Sequence, residues 1–293
     1  MTDPDQAAEI YAESIEYFLF FGVIAFIVNW IAWRRGFFKI PSEKAPHLAS
    51  MTIQIVLSVF AIYLGMALIV APLLAKLFPL QRETESELLL ASTVYQLFIL
   101  SSIAILLVWY SCRQDPQLIR SIWKAPAKDR PIYKDFAMGA ATWVLGFPLV
   151  AAIGQLCDLL IYFFTGVEKY EQAAVHFLKM SLSSHLLFIL AAVTVILFAP
   201  FIEEFLFRGC LQTFLKKHLG RKAAIMLASL CFALFHLAPS QGVGNISLAI
   251  SLFVFSCFLG FIYEKRASLF ASIGLHMTFN VVSTLRILWM PEG

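Results

Sequence analysis

Long apolar runs dominate the chain, and short polar connections separate them. A helix that crosses the hydrocarbon core of a membrane needs about 20 apolar residues. Because each run approaches this length, the pattern predicts an all-α, polytopic membrane protein with about eight transmembrane helices. The predicted spans are residues 17–33, 51–75, 88–112, 136–164, 184–202, 223–238, 246–263 and 267–289.

Basic residues in the connections predict the orientation of these spans. Cytoplasmic loops of membrane proteins are enriched in Lys and Arg. Most of the 22 basic residues follow the first, third, fifth and seventh predicted spans. The acidic amino-terminal segment and the acidic connection around residues 83–87 fall on the other side. We therefore expect those four connections to be cytoplasmic and both termini to lie on the opposite side.

The composition agrees with a lipid environment. Of the 293 residues, 60% are apolar and 14% are charged, whereas a soluble domain has about 25% charged residues. A net charge of +3 and the lack of a basic-aromatic module argue against a nucleic-acid partner. The acidic amino terminus is unlike a cleavable signal peptide. We expect a multi-pass protein of a bacterial plasma membrane, with membrane lipid as one partner.

The longest polar connection, residues 113–135, contains three prolines and divides the chain. We interpret residues 1–134 as an N-terminal region of three spans followed by a cytoplasmic linker. Residues 135–293 form a C-terminal region of five spans. Ionisable groups at membrane depth are costly and mark functional sites by default. They cluster after residue 200, within this C-terminal region.

Two adjacent carboxylates lie at the end of the fifth span. Glu204 and Arg208 are four residues apart and share one helix face, so they can neutralise each other. Glu203 points about 100° away and has no partner in its own segment. A carboxylate in a site of low dielectric suits general-base chemistry. The alternative interpretation is a plain double charge at the cytoplasmic end of the span.

Two histidines and one asparagine interrupt later apolar runs. His236 follows Phe232 by four residues. His276 and Asn280 are also four residues apart and share one helix face. Taken singly, each side chain is explained equally well by hydrogen bonding between packed helices.

The spacing around a basic turn brings these residues to similar depth. Glu203 lies 17 residues before Gly220, and His236 lies 16 residues after it. In an antiparallel helical hairpin both side chains are then about 25 Å from the turn. His276 enters from the same basic side, about 15 Å along its helix. The pattern at 205–219 is typical of an amphipathic helix at the membrane interface, which would bring the three depths together.

Three short motifs resemble those of the CAAX protease and bacteriocin-processing family (CPBP), also called the Abi family. They are Glu-Glu-x-x-x-Arg, Phe-x-x-x-His and His-x-x-x-Asn, each on its own membrane segment. The resemblance covers about residues 185–285, a third of the chain. The matching residues are Glu203, Glu204, Arg208, Phe232, His236, His276 and Asn280.

The resemblance implies an intramembrane endopeptidase with peptide or protein substrates that are membrane-associated and CAAX-like. Glu203 and His236 would activate a water molecule that attacks the peptide carbonyl. His276 and Asn280 would stabilise the resulting oxyanion. The supporting residues would be Glu204 and Arg208.

Members of this family have also been described as metalloproteases. In that case a zinc ion would be held by Glu203, His236 and His276, which are ligand types that zinc accepts. The chain has no HExxH helix, so these ligands would have to come from separate helices. The glutamate–histidine and the metal-dependent mechanisms both stay open at this stage.

Two functions other than proteolysis are compatible with the pattern. One is a non-catalytic membrane scaffold or immunity-type protein that keeps the fold. The other is a transporter that would use the carboxylates and histidines as a proton relay, although the paired broken helices typical of transporters are missing from the pattern. A serine nucleophile is disfavoured because there is no GxSxG elbow.

Overall fold

The computed structural model describes residues 4–40, 50–77, 84–124, 130–166 and 173–289. Every regular element in these ranges is helical, and the only pairing of extended backbone among them is an isolated β-bridge between Lys124 and Ser268. The predicted all-α fold is therefore confirmed. The helices are α1 (Pro4–Arg34), α2 (Ile53–Gly65), α3 (Ala71–Leu77), α4 (Glu85–Ser111), α5 (Pro116–Trp123), α6 (Ile132–Thr165), α7 (Ala173–Ser181), α8 (His185–Val193), α9 (Ala199–Glu204), α10 (Thr213–Phe235), α11 (Gly244–Arg266) and α12 (Leu269–Trp289).

Six helical stretches in the described ranges are long and apolar enough to cross a membrane, judged by length and composition. The chain is a polytopic membrane protein, but this count differs from the eight predicted spans. The fifth and sixth predicted spans belong to one helical run. The eighth corresponds to α12, whose hydropathy is lowered by its histidine, asparagine and arginine. The six stretches are Tyr11–Arg34, Ile53–Leu77, Glu87–Ser111, Ile132–Thr165, His185–Phe235 and Gly244–Arg266.

Three π-helical segments connect consecutive α-helices. Met66–Val70 joins α2 to α3, Thr194–Phe198 joins α8 to α9, and Phe205–Gln212 joins α9 to α10. In a π segment the backbone hydrogen bonds run from i to i+5, and such segments occur frequently at functional sites. Two of the three flank the short helix α9, which ends in Glu203 and Glu204.

A sharp turn at Gly220 reverses the long run His185–Phe235. Gly220 has φ 79° and ψ 170°, a conformation that residues with a Cβ rarely adopt. The predicted basic turn is therefore confirmed. The predicted hairpin is confirmed as well, because Glu203 and His236, on opposite sides of this turn, lie side by side.

The π-helical segment Phe205–Gln212 lies in the protein interior. Six consecutive residues, Phe205–Cys210, are buried, and the segment packs against α2, α5, α11 and α12. The prediction of an interfacial helix over residues 205–219 is therefore wrong for residues 205–212. The physical reason is that Glu204 neutralises Arg208 inside the protein, so the cation needs no aqueous surface.

Helices α6 and α12 approach each other backbone to backbone. A Cβ at Gly139 would lie 1.8 Å from the Ala271 carbonyl oxygen, and a Cβ at Gly274 would lie 2.4 Å from the Phe136 carbonyl oxygen. Small residues permit such contacts between membrane helices, where burial of apolar surface gives little driving force. The contact fixes the position of α12 two residues before His276.

The N-terminal and C-terminal regions are in contact. α1 packs along α6, and α2 packs against the segment Phe205–Gln212. At the start of α6, the buried Asp135 forms a salt bridge with Arg266. Its Oδ1 atom lies 2.9 Å from Arg266 Nε and 2.7 Å from Arg266 Nη2. This pair holds α6 to the connection between α11 and α12. The domain boundary at residues 134 and 135 stays a prediction.

Candidate active site

Three separate helical segments bring one carboxylate and two imidazoles together. The Glu203 Oε2 atom lies 3.5 Å from His236 Nε2 and 3.9 Å from His276 Nε2. Glu203 is in α9, His236 is the C-terminal cap of α10, and His276 is in α12. The convergence of these side chains, inferred from their depth along the helices, is present in the structure.

The ring of His236 is oriented by its own helix. Its Nδ1 lies 2.8 Å from the Phe232 carbonyl oxygen. A carbonyl only accepts hydrogen bonds, so Nδ1 carries the proton and donates it. The two rings also pack with their centroids 4.5 Å apart. Neutral His236 therefore presents the lone pair of Nε2 to Glu203, and the four-residue spacing of the Phe-x-x-x-His motif has a direct structural reason.

The second glutamate orients the second histidine. Glu204 Oε1 lies 2.8 Å from His276 Nδ1 and 3.1 Å from Arg208 Nη1. A carboxylate that accepts the Nδ1–H of a histidine fixes its tautomer and ring orientation. Neutral His276 then also presents an Nε2 lone pair on the side of Glu203.

Arg208 is held from three directions. Besides Glu204, its Nη2 donates to Ser256 Oγ at 2.6 Å and to the Ser256 carbonyl oxygen at 3.3 Å. Its guanidinium carbon lies 4.5 Å from the centre of the Phe232 ring, a distance that permits a cation–π interaction. A buried charge is stable when it is paired and hydrogen-bonded in this way.

The charges of the site are paired except at Glu203. Glu204 and Arg208 neutralise each other, so an ionised Glu203 would give the pocket a net negative charge when both histidines are neutral. An uncompensated charge in a low-dielectric environment is costly, and the two imidazoles are the groups nearest to it.

Exposure distinguishes Glu203 and His236 from Glu204 and Arg208. The Glu203 side chain is 18% exposed and that of His236 is 28% exposed, whereas Glu204 and Arg208 are 0% and 1% exposed. Although part of its side chain is accessible, the Oε2 atom of Glu203 is buried and has no hydrogen-bond partner among the described residues. An unsatisfied acceptor of this kind is a natural binding position for a water molecule.

Asn280 lies one helical turn after His276 and contacts a different element. Its Nδ2 donates to the Val195 carbonyl oxygen at 2.8 Å. Val195 belongs to the π-helical segment Thr194–Phe198, where carbonyl groups depart from the usual α-helical pattern. The bond holds α12 against this segment. Stabilisation of an oxyanion by Asn280 stays a prediction.

The donor set expected for zinc does not have the arrangement of a metal site. Among the residues that the structure describes, no group of three or more His, Cys, Asp or Glu side chains is placed to hold a metal ion. Glu203, His236 and His276 are among these residues and do not form such a group. No step of the chemistry described below passes through a metal.

A buried polar ladder extends from the site toward the turn at Gly220. Gln212 donates to the Gly260 carbonyl oxygen at 3.1 Å and to Glu264 at 3.2 Å, and Lys216 pairs with Glu264 at 2.9 Å. Sequence analysis missed this ladder, although polar residues every four positions in two apolar helices are a usable signal. Its members are Glu204, Arg208, Gln212 and Lys216 on one side and Ser256, Gly260 and Glu264 on the other.

Replacement of Ser256 by alanine is expected to destabilise the protein by about 1–3 kcal/mol, because a buried donor of Arg208 loses its nearest acceptor. Thermal unfolding in detergent measures the effect. The matched control is Ser102→Ala, since Ser102 is half-buried in α4 and, among the described residues, its hydroxyl bonds to the Phe98 carbonyl oxygen of its own helix. Equal stability of the two variants would show that Ser256 does not support Arg208.

An apolar groove of about 640 Å³ lies between α4, Thr194–Phe198, α9 and α12. Its wall includes Phe201 of α9 and Met277 of α12, the two helices that carry Glu203 and His276. The groove is suited to an apolar chain. Its lining residues are Ala104, Ile105, Val108, Trp109, Leu197, Phe198, Phe201, Ile273 and Met277.

Residues 185–282 match the family model described as "Type II CAAX prenyl endopeptidase Rce1-like". This segment is an Rce1-like domain, and it contains every site residue predicted from the sequence. Neither a curated protein nor a solved structure matches the chain. The match covers about a third of the chain and leaves α1–α7 outside it.

Proposed function

We propose that this protein is an intramembrane endopeptidase that hydrolyses peptide bonds of membrane-associated, CAAX-like substrates with a water molecule activated by Glu203 and His236. One observation carries the proposal: Glu203 Oε2 lies 3.5 Å from His236 Nε2 and 3.9 Å from His276 Nε2, within a mostly apolar interior. The Rce1-like domain over residues 185–282 supports the same class of reaction.

The first step is activation of water. A water molecule that donates to Glu203 Oε2 and to the Nε2 lone pair of His236 has its oxygen free to attack. As the oxygen bonds to the carbonyl carbon of the substrate, Glu203 and His236 together accept one proton. General-base catalysis of this kind accelerates a reaction by about 10²–10⁴-fold.

The second step is collapse of the tetrahedral intermediate. The carbon–nitrogen bond breaks, and the proton taken from water passes to the leaving amine. Hydrogen-bond donors directed at the negatively charged oxygen lower this barrier. The Nδ1–H of His276 donates to Glu204. His276 therefore donates from Nε2 when the ring carries a second proton. Asn280 retains one amide N–H beside its bond to Val195.

The apolar groove supports a substrate that has a lipid or other apolar segment. Its described lining is entirely apolar, so an extended polar peptide would leave backbone groups without partners there. A hydrocarbon chain in the groove would contact α9 and α12, the two helices that carry Glu203 and His276.

The proposal is tested in cells that produce equal amounts of wild-type protein or of Glu203→Gln. New protein termini in the membrane fractions are quantified by mass spectrometry. We expect a set of termini that depends on the wild-type protein and is lost with the variant. A fluorogenic peptide ending in an S-prenylcysteine and three further residues tests the CAAX-like class against its unprenylated counterpart. Identical termini in the two membrane fractions would contradict the proposal.

A further inference from the structure

His236 lies at the very end of α10, where the helix gives way to a loop. It is the C-terminal cap, with φ −94° and ψ −1°, and Ala238, two residues later, is extended, with φ −127° and ψ 135°. Helix ends fray, so the position of a residue at the cap depends on how the following chain is held. The bond from His236 Nδ1 to the Phe232 carbonyl oxygen orients the ring only while this last turn keeps its form.

The side chain of Asn245 holds the chain that follows His236. Its Oδ1 atom accepts a hydrogen bond from the Ala238 N–H at 3.1 Å, and its Nδ2 donates to the Ala238 carbonyl oxygen at 2.8 Å. An amide has both an acceptor and donors, so one side chain binds both backbone groups of Ala238. The two bonds join the end of α10 to the start of α11.

The support behind Asn245 is a packed helix. Asn245 is the second residue of α11, which packs against α6, α10 and α12. The N-terminal cap of α11 is Val243, and it makes no side-chain capping bond. The amide of Asn245 is instead directed back across the loop. This loop includes Gly242, whose φ of 48° is a conformation that residues with a Cβ rarely adopt.

We infer that Asn245 is a positioning residue for His236. The inference rests on the proposed endopeptidase function, in which His236 and Glu203 together accept the proton of the attacking water. Asn245 acts through the backbone of Ala238: its two hydrogen bonds keep the last turn of α10 in the form that sets His236 Nε2 3.5 Å from Glu203 Oε2. The short loop between α10 and α11 is thereby part of what aligns the site.

The test compares Asn245→Ala with Asn29→Ala, using purified proteins in detergent and the fluorogenic S-prenylcysteine peptide. Asn29 is the matched control, because its half-buried amide donates to the Ala25 and Leu145 carbonyl oxygens at 2.9 and 3.1 Å. We expect both variants to unfold at a lower temperature. Only Asn245→Ala should lower kcat per folded molecule, by about 30-fold at an unchanged KM, since a displacement of about 1 Å at a catalytic group can cost about 100-fold.

Asn245→Asp is a second variant that keeps the shape of the side chain. It retains the acceptor for the Ala238 N–H and replaces the donor to the Ala238 carbonyl with an oxygen. We expect a lower kcat at an unchanged KM here too, so the test remains possible if Asn245→Ala does not fold. Failure of both variants to fold under conditions where Asn29→Ala is folded would assign Asn245 a structural role and overturn the inference.

The outcomes separate this inference from the proposed function. If Glu203→Gln abolishes cleavage of the peptide and the Asn245 variants keep the kcat per folded molecule of Asn29→Ala, the inference is overturned while the function stands. A lower kcat accompanied by a higher KM in proportion would show that Asn245 shapes substrate binding, and this also overturns the inference. If the wild-type protein cleaves the peptide no faster than Glu203→Gln, the proposed function fails for this class of substrate and the inference falls with it.

Discussion

Glu203→Gln is expected to lower the rate of peptide-bond cleavage by about 1000-fold, within the range for loss of a general base. The amide keeps the shape of the side chain but accepts no proton from water. His236 Nε2, 3.5 Å away, then lacks the carboxylate with which it shares the proton. The rate at which new termini accumulate in membrane fractions measures the effect.

The fold of Glu203→Gln is expected to stay intact. Glu203 accepts no hydrogen bond at Oε2 from the described residues, so its replacement breaks no structural bond there and removes a charge from the interior. Thermal unfolding in detergent is the measurement. Glu16→Gln, an exposed position in α1, is the control for loss of a negative charge and should cleave as wild type. A Glu203→Gln protein that retained a tenth of the wild-type rate would argue against a role as base.

Gly274→Ala is expected to destabilise the protein by about 3 kcal/mol and to impair cleavage as well. The new Cβ would lie 2.4 Å from the Phe136 carbonyl oxygen, and backbone atoms cannot rotate away as a flexible side chain can. α6 and α12 would have to separate, at a cost typical of severe overpacking. Because His276 is two residues further along α12, the shift would also increase its distance from Glu203.

Two other glycines provide the controls for this prediction. A Cβ at Gly22 or at Gly65 meets no atom within 4 Å. Gly22→Ala and Gly65→Ala should therefore be neutral or slightly stabilising, by up to about 1 kcal/mol, since alanine favours a helix. Comparison of the unfolding temperatures of the three variants tests the prediction. Equal values for Gly274→Ala and the controls would show that the close contact between α6 and α12 is unimportant for stability.

Local spacing predicted a large part of the site. The four-residue separations of Glu204 from Arg208 and of Phe232 from His236 are distances within one helix, and both pairs are in contact. The turn at Gly220 was predictable because a glycine between basic residues interrupted two apolar runs. For these features the relevant interactions connect residues that are near one another in sequence.

Interactions between distant segments were predicted less well. The amphipathic pattern over 205–219 suggested an interfacial helix, but Arg208 lies in the interior, where Ser256, 48 residues later in the chain, is one of its partners. Asn280 donates one amide N–H to the Val195 carbonyl oxygen, a contact between distant segments that the sequence did not indicate, and its role at the oxyanion stays a prediction.

The sequence by itself determined that this is an all-α membrane protein with Glu203, His236 and His276 on separate segments, because apolar run length and i,i+4 spacing are properties of the chain alone. Only the tertiary structure decided which nitrogen of each imidazole faces Glu203, how Arg208 is kept in the interior, and which N-terminal helix lies beside the site. Those features depend on hydrogen bonds and close packing between helices, and a one-dimensional pattern does not specify which helix faces which.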